Sequence, residues 1–232
     1  MIARATLIGV LAGLMPAAAS AQAYQCTPPD RLGAWPAPVR DGPAVLGSIG
    51  RYTLAISWAP EFCRTDRQSF ECRPQSGRFG FVVHGLWPEA TSGASPQWCA
   101  ARPRPSPDLI RRNLCMAPVP SLAEHEWAKH GTCMAPTPES YFAQAAALWR
   151  TLRWPDTDRL ARQQPLTVGR LRAAVALANP AFKAGWIGVF LGQGGWLREL
   201  RLCYSRRLKP IPCRGAQLGP AEDAPLKIWR GL

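Results

Sequence analysis

Three histidines hold most of the chemistry that titrates near neutral pH in this chain, and they fall in two short segments. His84 stands in Phe81-Val-Val-His84-Gly-Leu-Trp-Pro88, and His125 and His130 in His125-Glu-Trp-Ala-Lys-His130-Gly-Thr-Cys133. On a helix, Glu126 and His130 are four apart and share a face, while His125 and Lys129 share an adjacent stripe. Glu126 and Lys129, three apart, bring the stripes into contact. One helix thus presents two imidazoles, a carboxylate and an ammonium. A solvated charged face would account for a Glu–Lys pair, but it does not account for two of only three histidines.

Several chemistries are excluded by pattern. There is no G-x-S-x-G nucleophile elbow. A zinc-protease helix needs a second His four after the first, and four after His125 is Lys129. The spacing of five turns the two rings about 140° apart on a helix, and an ammonium between them repels a metal. Two His with Lys and Glu suit acid–base work on an anion. A phosphodiester fits: one His removes a proton, another protonates the leaving oxygen, and a cation steadies the developing charge. RNA carries its own nucleophile, the 2′-hydroxyl, so no nucleophilic side chain, metal or cofactor is needed. The net charge of +13, from 28 Lys and Arg against 15 Asp and Glu, matches a polyanionic partner. Two other readings compete: a non-catalytic cationic protein that binds RNA or anionic surfaces, and a zinc-dependent hydrolase.

These residues need elements to position them. Tyr52, Leu54, Ile56 and Trp58 alternate with smaller or polar residues, the period of a half-buried strand. Phe79 to His84 reads as a buried central strand. A short helix is expected over Asp108 to Cys115. Ser121-Leu-Ala-Glu124 reads as a capping box that opens a helix stopped by Gly131. Thr137-Pro138-Glu139 opens another, with Tyr141, Ala145, Leu148, Trp149 and Leu152 on its apolar face. A third runs from Thr167 to Ala178. Strand-like segments follow at Trp196 to Leu202 and at Pro225 to Trp229. Helices in the middle and strands on both sides give an α+β class. Hydrophobic residues at 47% supply a core, while 24 Pro and 20 Gly argue for many loops.

Residues 1–23 read as a signal peptide. Arg4 is followed by an apolar run, Ala5 to Met15, too short to span a bilayer. Cleavage is expected after Ala21 or Ala23, and no later stretch is apolar enough for stable membrane insertion. Loss of Arg4 alone would lower the charge of +13 to +12. Residues 24–50, rich in Pro, Gly and Ala, read as an extended segment ahead of one catalytic domain, 51–232. Export to a periplasmic or secreted location makes four disulfides of the eight Cys. No C-x-x-C pair suggests zinc. Eight cysteines allow 105 connectivities; short loops favour Cys63–Cys72 and Cys203–Cys213.

His84-Gly-Leu-Trp-Pro88 and His125-Glu-Trp-Ala-Lys-His130-Gly-Thr-Cys133 resemble the two active-site segments of the ribonuclease T2 family, in order and about 40 residues apart. The Tyr52-to-Trp58 strand followed by Cys63 and Cys72 also resembles bacterial members. The resemblance implies a central antiparallel sheet with helices packed against it. It implies a metal-independent endoribonuclease that cleaves single-stranded RNA with little base specificity, through a 2′,3′-cyclic phosphate to 3′-phosphate ends. The roles it implies are His130 as general base and His84 as general acid. Glu126 and Lys129 would stabilise the phosphorane, and His125 would position phosphate. Trp87 would stack on a base, or be plain core, and Glu89 would accept from a base. The family pattern further implies Cys99–Cys133, which leaves Cys26–Cys115 by elimination. The expected partner is RNA, the expected state a monomer, and no cofactor is implied.

Overall fold

The structure is a computed structural model that describes residues 23–231. The expected signal-peptide core and the Ala21 cleavage site lie outside the described residues. Strand β1 (Ala23–Cys26) opens the described chain, followed by β2 (Ile49–Trp58) and helix α1 (Ala59–Thr65). Next come β3 (Gly77–Phe79), β4 (Phe81–Ala90), and helices α2 (Pro107–Asn113) and α3 (Pro120–Glu126). A π-helical turn, Trp127–Gly131, leads into α4 (Thr132–Met134). Helices α5 (Pro138–Thr151), α6 (Thr157–Ala161) and α7 (Val168–Ala178) precede β5 (Gly188–Leu191), β6 (Leu197–Ser205) and β7 (Pro210–Ile211).

The main sheet is antiparallel, in the order β4-β2-β6-β5 with β7 added to β6, and β1 pairs with β3 in a separate two-stranded sheet. Alternation divides the main sheet into two faces. Leu54, Ile56, Val83, Leu86, Leu200 and Leu202 share a core with Phe142, Ala145, Leu148, Leu171 and Val175 of α5 and α7. The opposite face carries the polar residues Thr53, Ser57, Trp87, Glu199 and Arg201, brought side by side by the register. Helix α5 is closed at its start by Thr137 and Ser140, which cap each other's backbone, and its expected apolar face is buried.

Four disulfides join Cys26–Cys115, Cys63–Cys72, Cys99–Cys133 and Cys203–Cys213. No helix among the described residues is long and apolar enough to cross a membrane.

Some expectations are corrected. The strand carrying His84 is not central: β4 lies at one end of the main sheet's strand order and runs on to Ala90. Pro225 to Trp229 forms no strand and makes only isolated bridges at Pro225 and Lys227. The capping box at Ser121 and Glu124 does not form. Pro120 starts the helix one residue earlier, behind Val119, and Glu124 is buried against Arg104 and Trp35. Gly131 stops nothing, because the chain stays helical to Met134. It is Gly because a Cβ there would fall 2.3 Å from the Trp127 ring and 2.9 Å from Tyr141.

Candidate active site

His84 owes its direction to an irregularity in β4. The register passes from Ile56 opposite Val83 to Ala55 opposite Gly85, so His84 is an extra, unpaired residue. Such a bulge bends the strand and re-aims a side chain. Here it turns the imidazole onto the polar face. Gly85 completes the arrangement, since a Cβ at that position would lie 2.0 Å from Glu126 Oε2. The carboxylate of α3 can therefore approach the strand only over a glycine.

Two carboxylates then hold His84. Its Nδ1 is 3.0 Å from Glu199 Oε2, and its Nε2 is 3.5 Å from Glu126 Oε1. Burial works against a charge on this ring, but the hydrogen bonds to Glu126 and Glu199, with their charges, outweigh it and push the pKa up to about 10. His130 is the opposite case. Burial pushes its pKa down to about 4; Glu126 resists, while Lys129, His125 and His84 add to the fall. Its Nε2 is 4.0 Å from Glu126 Oε2, and its Nδ1 is buried without a hydrogen-bond partner. Near neutrality His84 is a proton donor and His130 a proton acceptor, on either side of one carboxylate. Burial acts to raise the pKa of Glu126, yet its hydrogen bond to His84 and the charges of His84 and His130 hold it below the ordinary carboxylate range.

Trp87 closes the group. Its indole N–H donates to Glu126 Oε2 at 2.6 Å, and its ring lies 5.3 Å from His84 and 5.6 Å from His130. The Arg201 guanidinium stands 5.1 Å from the Trp87 centroid and donates to Glu199 at 2.8 Å. Trp87 is half-buried. Glu89 lies two residues on, with Oε1 taken by the Thr53 hydroxyl and the Gln217 amide and Oε2 3.9 Å from Arg51. Beside His84 and Glu199 a cavity of about 580 Å³ opens, lined also by Ser57, Phe62, Val119 and Leu122.

Lys129 and His125 form a second cluster. The expected contact of Lys129 with Glu126 is replaced by one with Asp41, from the segment before β2, at 2.6 Å. His125 Nε2 is 3.6 Å from the same oxygen, and the Trp98 indole donates to the other at 3.1 Å and meets His125 edge-on. Trp98 has φ 53°, a left-handed conformation uncommon for a bulky residue. The Cys99–Cys133 bond beside it ties this loop to the helix, and the Trp98 N–H donates to Lys129 O at 2.6 Å. The π-helical turn also breaks the regular stripes on which the two histidines were placed.

Glu199, Arg201 and Asp41 were not found from the sequence. The first two had a local signal: charges alternating with buried leucines on β6. Among the described residues, no group of three His, Cys, Asp or Glu side chains could hold a metal ion, and no cysteine is free.

Solved structures share this α+β architecture. The structure described as RNase NT in complex with 5′-AMP superposes with a TM-score of 0.61 at 21% identity, covering 78% of this chain and 98% of the other. An RNase-related protein from Calystegia sepium gives 0.59 at 19%, covering 77% and 97%. The fold is therefore the α+β architecture of those structures. At the level of sequence, the model of the Ribonuclease T2 family matches residues 49–164. A ribonuclease of Aeromonas hydrophila is 32% identical over 69% of this chain and 74% of its own length. Ribonuclease I of Escherichia coli is 27% identical over 67% and 75%. A Haemophilus influenzae relative described as a probable ribonuclease is 28% identical over 72% of this chain, and the match spans 61% of its own length. The chain belongs to the Ribonuclease T2 family and is a ribonuclease of that type.

Proposed function

We propose that the protein is a metal-independent endoribonuclease that cleaves single-stranded RNA by transesterification, through a 2′,3′-cyclic phosphate to 3′-phosphate ends. The observation that carries this reading is the opposed tuning of two imidazoles around Glu126, His84 pushed up to about 10 and His130 down to about 4. Paired groups whose surroundings drive their pKa values apart are an acid–base assignment. His130 takes the 2′-hydroxyl proton, and the 2′-oxygen attacks phosphorus. His84 protonates the departing 5′-oxygen. In the second step water takes the place of the departed 5′-oxygen: His84 accepts its proton, the water oxygen attacks phosphorus, the bond from phosphorus to the 2′-oxygen breaks, and His130 returns a proton to that oxygen.

Lys129 supplies positive charge to the phosphate and His125 positions it, and the phosphate must displace or share Asp41. Glu126 is better suited to act through its neighbours. As a buried carboxylate it would repel a phosphorane, but it keeps His84 charged and holds the Trp87 N–H. Glu199 is a positioning residue for His84, and Arg201 positions Glu199 and Trp87. Trp87 offers a π-face that any base can use, which supports low base specificity. Glu89 sits beyond it, its Oε1 held by Thr53 and Gln217 and its Oε2 facing Arg51, and a base would have to share that carboxylate with them.

The same reading makes residues 1–23 an export signal. The mature chain would act as a periplasmic or secreted monomer, residues 24–50 leading into one catalytic domain, 51–232. The four disulfides support an oxidising compartment.

The test is incubation of the purified protein with polymeric RNA in EDTA. Cyclic-phosphate ends are expected, with no cleavage of single-stranded DNA or of RNA methylated at every 2′-oxygen. Activity lost on chelation would return the zinc-hydrolase alternative, and RNA binding without cleavage would return the non-catalytic one.

A further inference from the structure

A second recess, of about 1030 Å³, lies next to the cavity beside His84, and the two share Arg64, Thr65 and Glu71 in their walls. Its lining has an uneven charge. Arg64, Arg67, Arg73, Arg78 and Arg230 face it, all exposed, and Glu71 is the one carboxylic acid among the lining residues. None of these arginines belongs to the acid–base group. Trp229, 36% exposed, forms part of one wall. The Arg64 guanidinium stands 5.6 Å from the Trp229 centroid and 4.9 Å from that of Trp196. The Cys63–Cys72 disulfide frames the recess and closes the segment, from the end of α1 onward, that carries Arg64, Arg67 and Glu71.

Glu71 is the second observation. It is 8% exposed, and its Oε2 is buried without a hydrogen-bond partner although it stands at the junction of the two cavities. Burial, helped by the charge of Asp66 and opposed by that of His84, raises its pKa to about 8, so near neutrality it is mostly a neutral carboxyl. A neutral carboxyl at this junction places no negative charge in the way of phosphates. Arginines along a groove with an accessible aromatic ring form the pattern that binds single strands, the cations tracking phosphates and flat groups stacking on bases.

We propose that this arginine-lined recess is the track of the RNA strand on the 3′ side of the cleaved phosphate. The direction rests on the role given to His84 above. The acid stands against the leaving 5′-oxygen, which belongs to the downstream nucleotide, and the cavity that leads to the recess opens beside His84 and Glu199. The first downstream nucleotide fills that cavity. The following ones pass Glu71 and Arg64 and lie along Arg67, Arg73, Arg78 and Arg230 toward Trp229.

The test compares three substrates in which one nucleotide alone keeps its 2′-hydroxyl and every other nucleotide is 2′-O-methylated: a dinucleotide with that hydroxyl on its 5′ residue, the same with six more nucleotides at its 3′ end, and the same with six at its 5′ end. The 3′ extension should raise kcat/KM by about tenfold or more, and the 5′ extension should not. In the joint variant Arg67→Ala, Arg73→Ala, Arg78→Ala, the ratio of 3′-extended to dinucleotide kcat/KM should collapse toward one. The corresponding Arg→Lys variant should restore most of it. For a fully 2′-O-methylated oligonucleotide, which cannot be cut, the slope of log K against log salt should fall by about 2 in the Ala variant, close to 0.7 for each phosphate deprived of its arginine. An equal gain from the 5′ extension, or a 3′ ratio untouched by the Ala variant, would overturn the proposal. If the wild type cuts none of the substrates, the ribonuclease reading fails and the 3′ direction with it. The salt slope then judges the recess alone, and an unchanged slope removes it.

Discussion

His84 and Lys129 are both cations of the proposed site, yet they are held in opposite ways. His84 lies between two carboxylates that are nearly out of water, Glu126 at 3% and Glu199 at 5% exposure. Lys129 is tied to Asp41, whose side chain is 47% exposed and comes from a loop 88 residues away. In the buried half the two carboxylates have little access to water, so removing His84 leaves their charge poorly compensated. In the exposed half water takes the place of either partner, and such pairs contribute little. The difference follows the chemistry required. A proton donor must be protonated and fixed in place at the working pH, whereas a phosphate-binding cation needs a partner that yields to substrate.

The comparison is broken most severely at the imidazoles. His84→Ala or His130→Ala should lower kcat by about 10²–10⁴-fold with little loss of RNA affinity; near wild-type turnover in either would end the acid–base assignment. Glu199→Gln should come next. Removing one of the two carboxylates lowers the pKa of His84. An acid works only while protonated, so the alkaline limb of kcat/KM, set near pH 10 in the wild type, should move down. The loss should be on the order of tenfold or more at pH 9 and much smaller at pH 6. An unshifted limb with uniformly reduced activity would make Glu199 merely structural.

A third effect lies where the halves are joined. The bond Cys99–Cys133, 34 residues apart, should contribute roughly 4 kcal/mol in the chain-entropy model. Cys203–Cys213, 10 apart, should contribute roughly 3. Removing each pair should destabilise the fold by similar amounts in urea titration. Only the first should also lower turnover per folded molecule, because it anchors the helix bearing Lys129 and His130. The smallest effect is expected at Asp41→Asn: KM for RNA lower by less than about fivefold at low salt, with the difference vanishing at high salt. A hundredfold fall in kcat would mean that Asp41 positions Lys129 rather than yielding to phosphate.

The site was legible where it is local in sequence. His84, Trp87, Glu126, Lys129 and His130 fall in two short runs that can be read directly. Glu199 could not be paired with His84 from sequence, because 115 residues separate them and only the sheet register brings β6 to β2 and β4. Asp41 lies in a segment without a regular element to announce it. Helices α5 and α7 were readable from their Thr caps and apolar periods. Helix α3 was misread at both ends, since Glu124 serves buried partners and the π-helical turn leaves no mark in composition. The bulge at His84 is equally silent: Gly85 is visible, but the carboxylate that requires it lies on another element.

The central claim is that one buried site holds His84 charged and His130 neutral. With three histidines in the chain, three imidazole resonances can be followed by NMR against pH and assigned by single His substitutions. His84 is expected to titrate near 10 and His130 near 4, so that at pH 7 the first is an imidazolium and the second a free base. If His130 instead titrates above His84, the proton donor and acceptor are exchanged and the proposed mechanism is wrong.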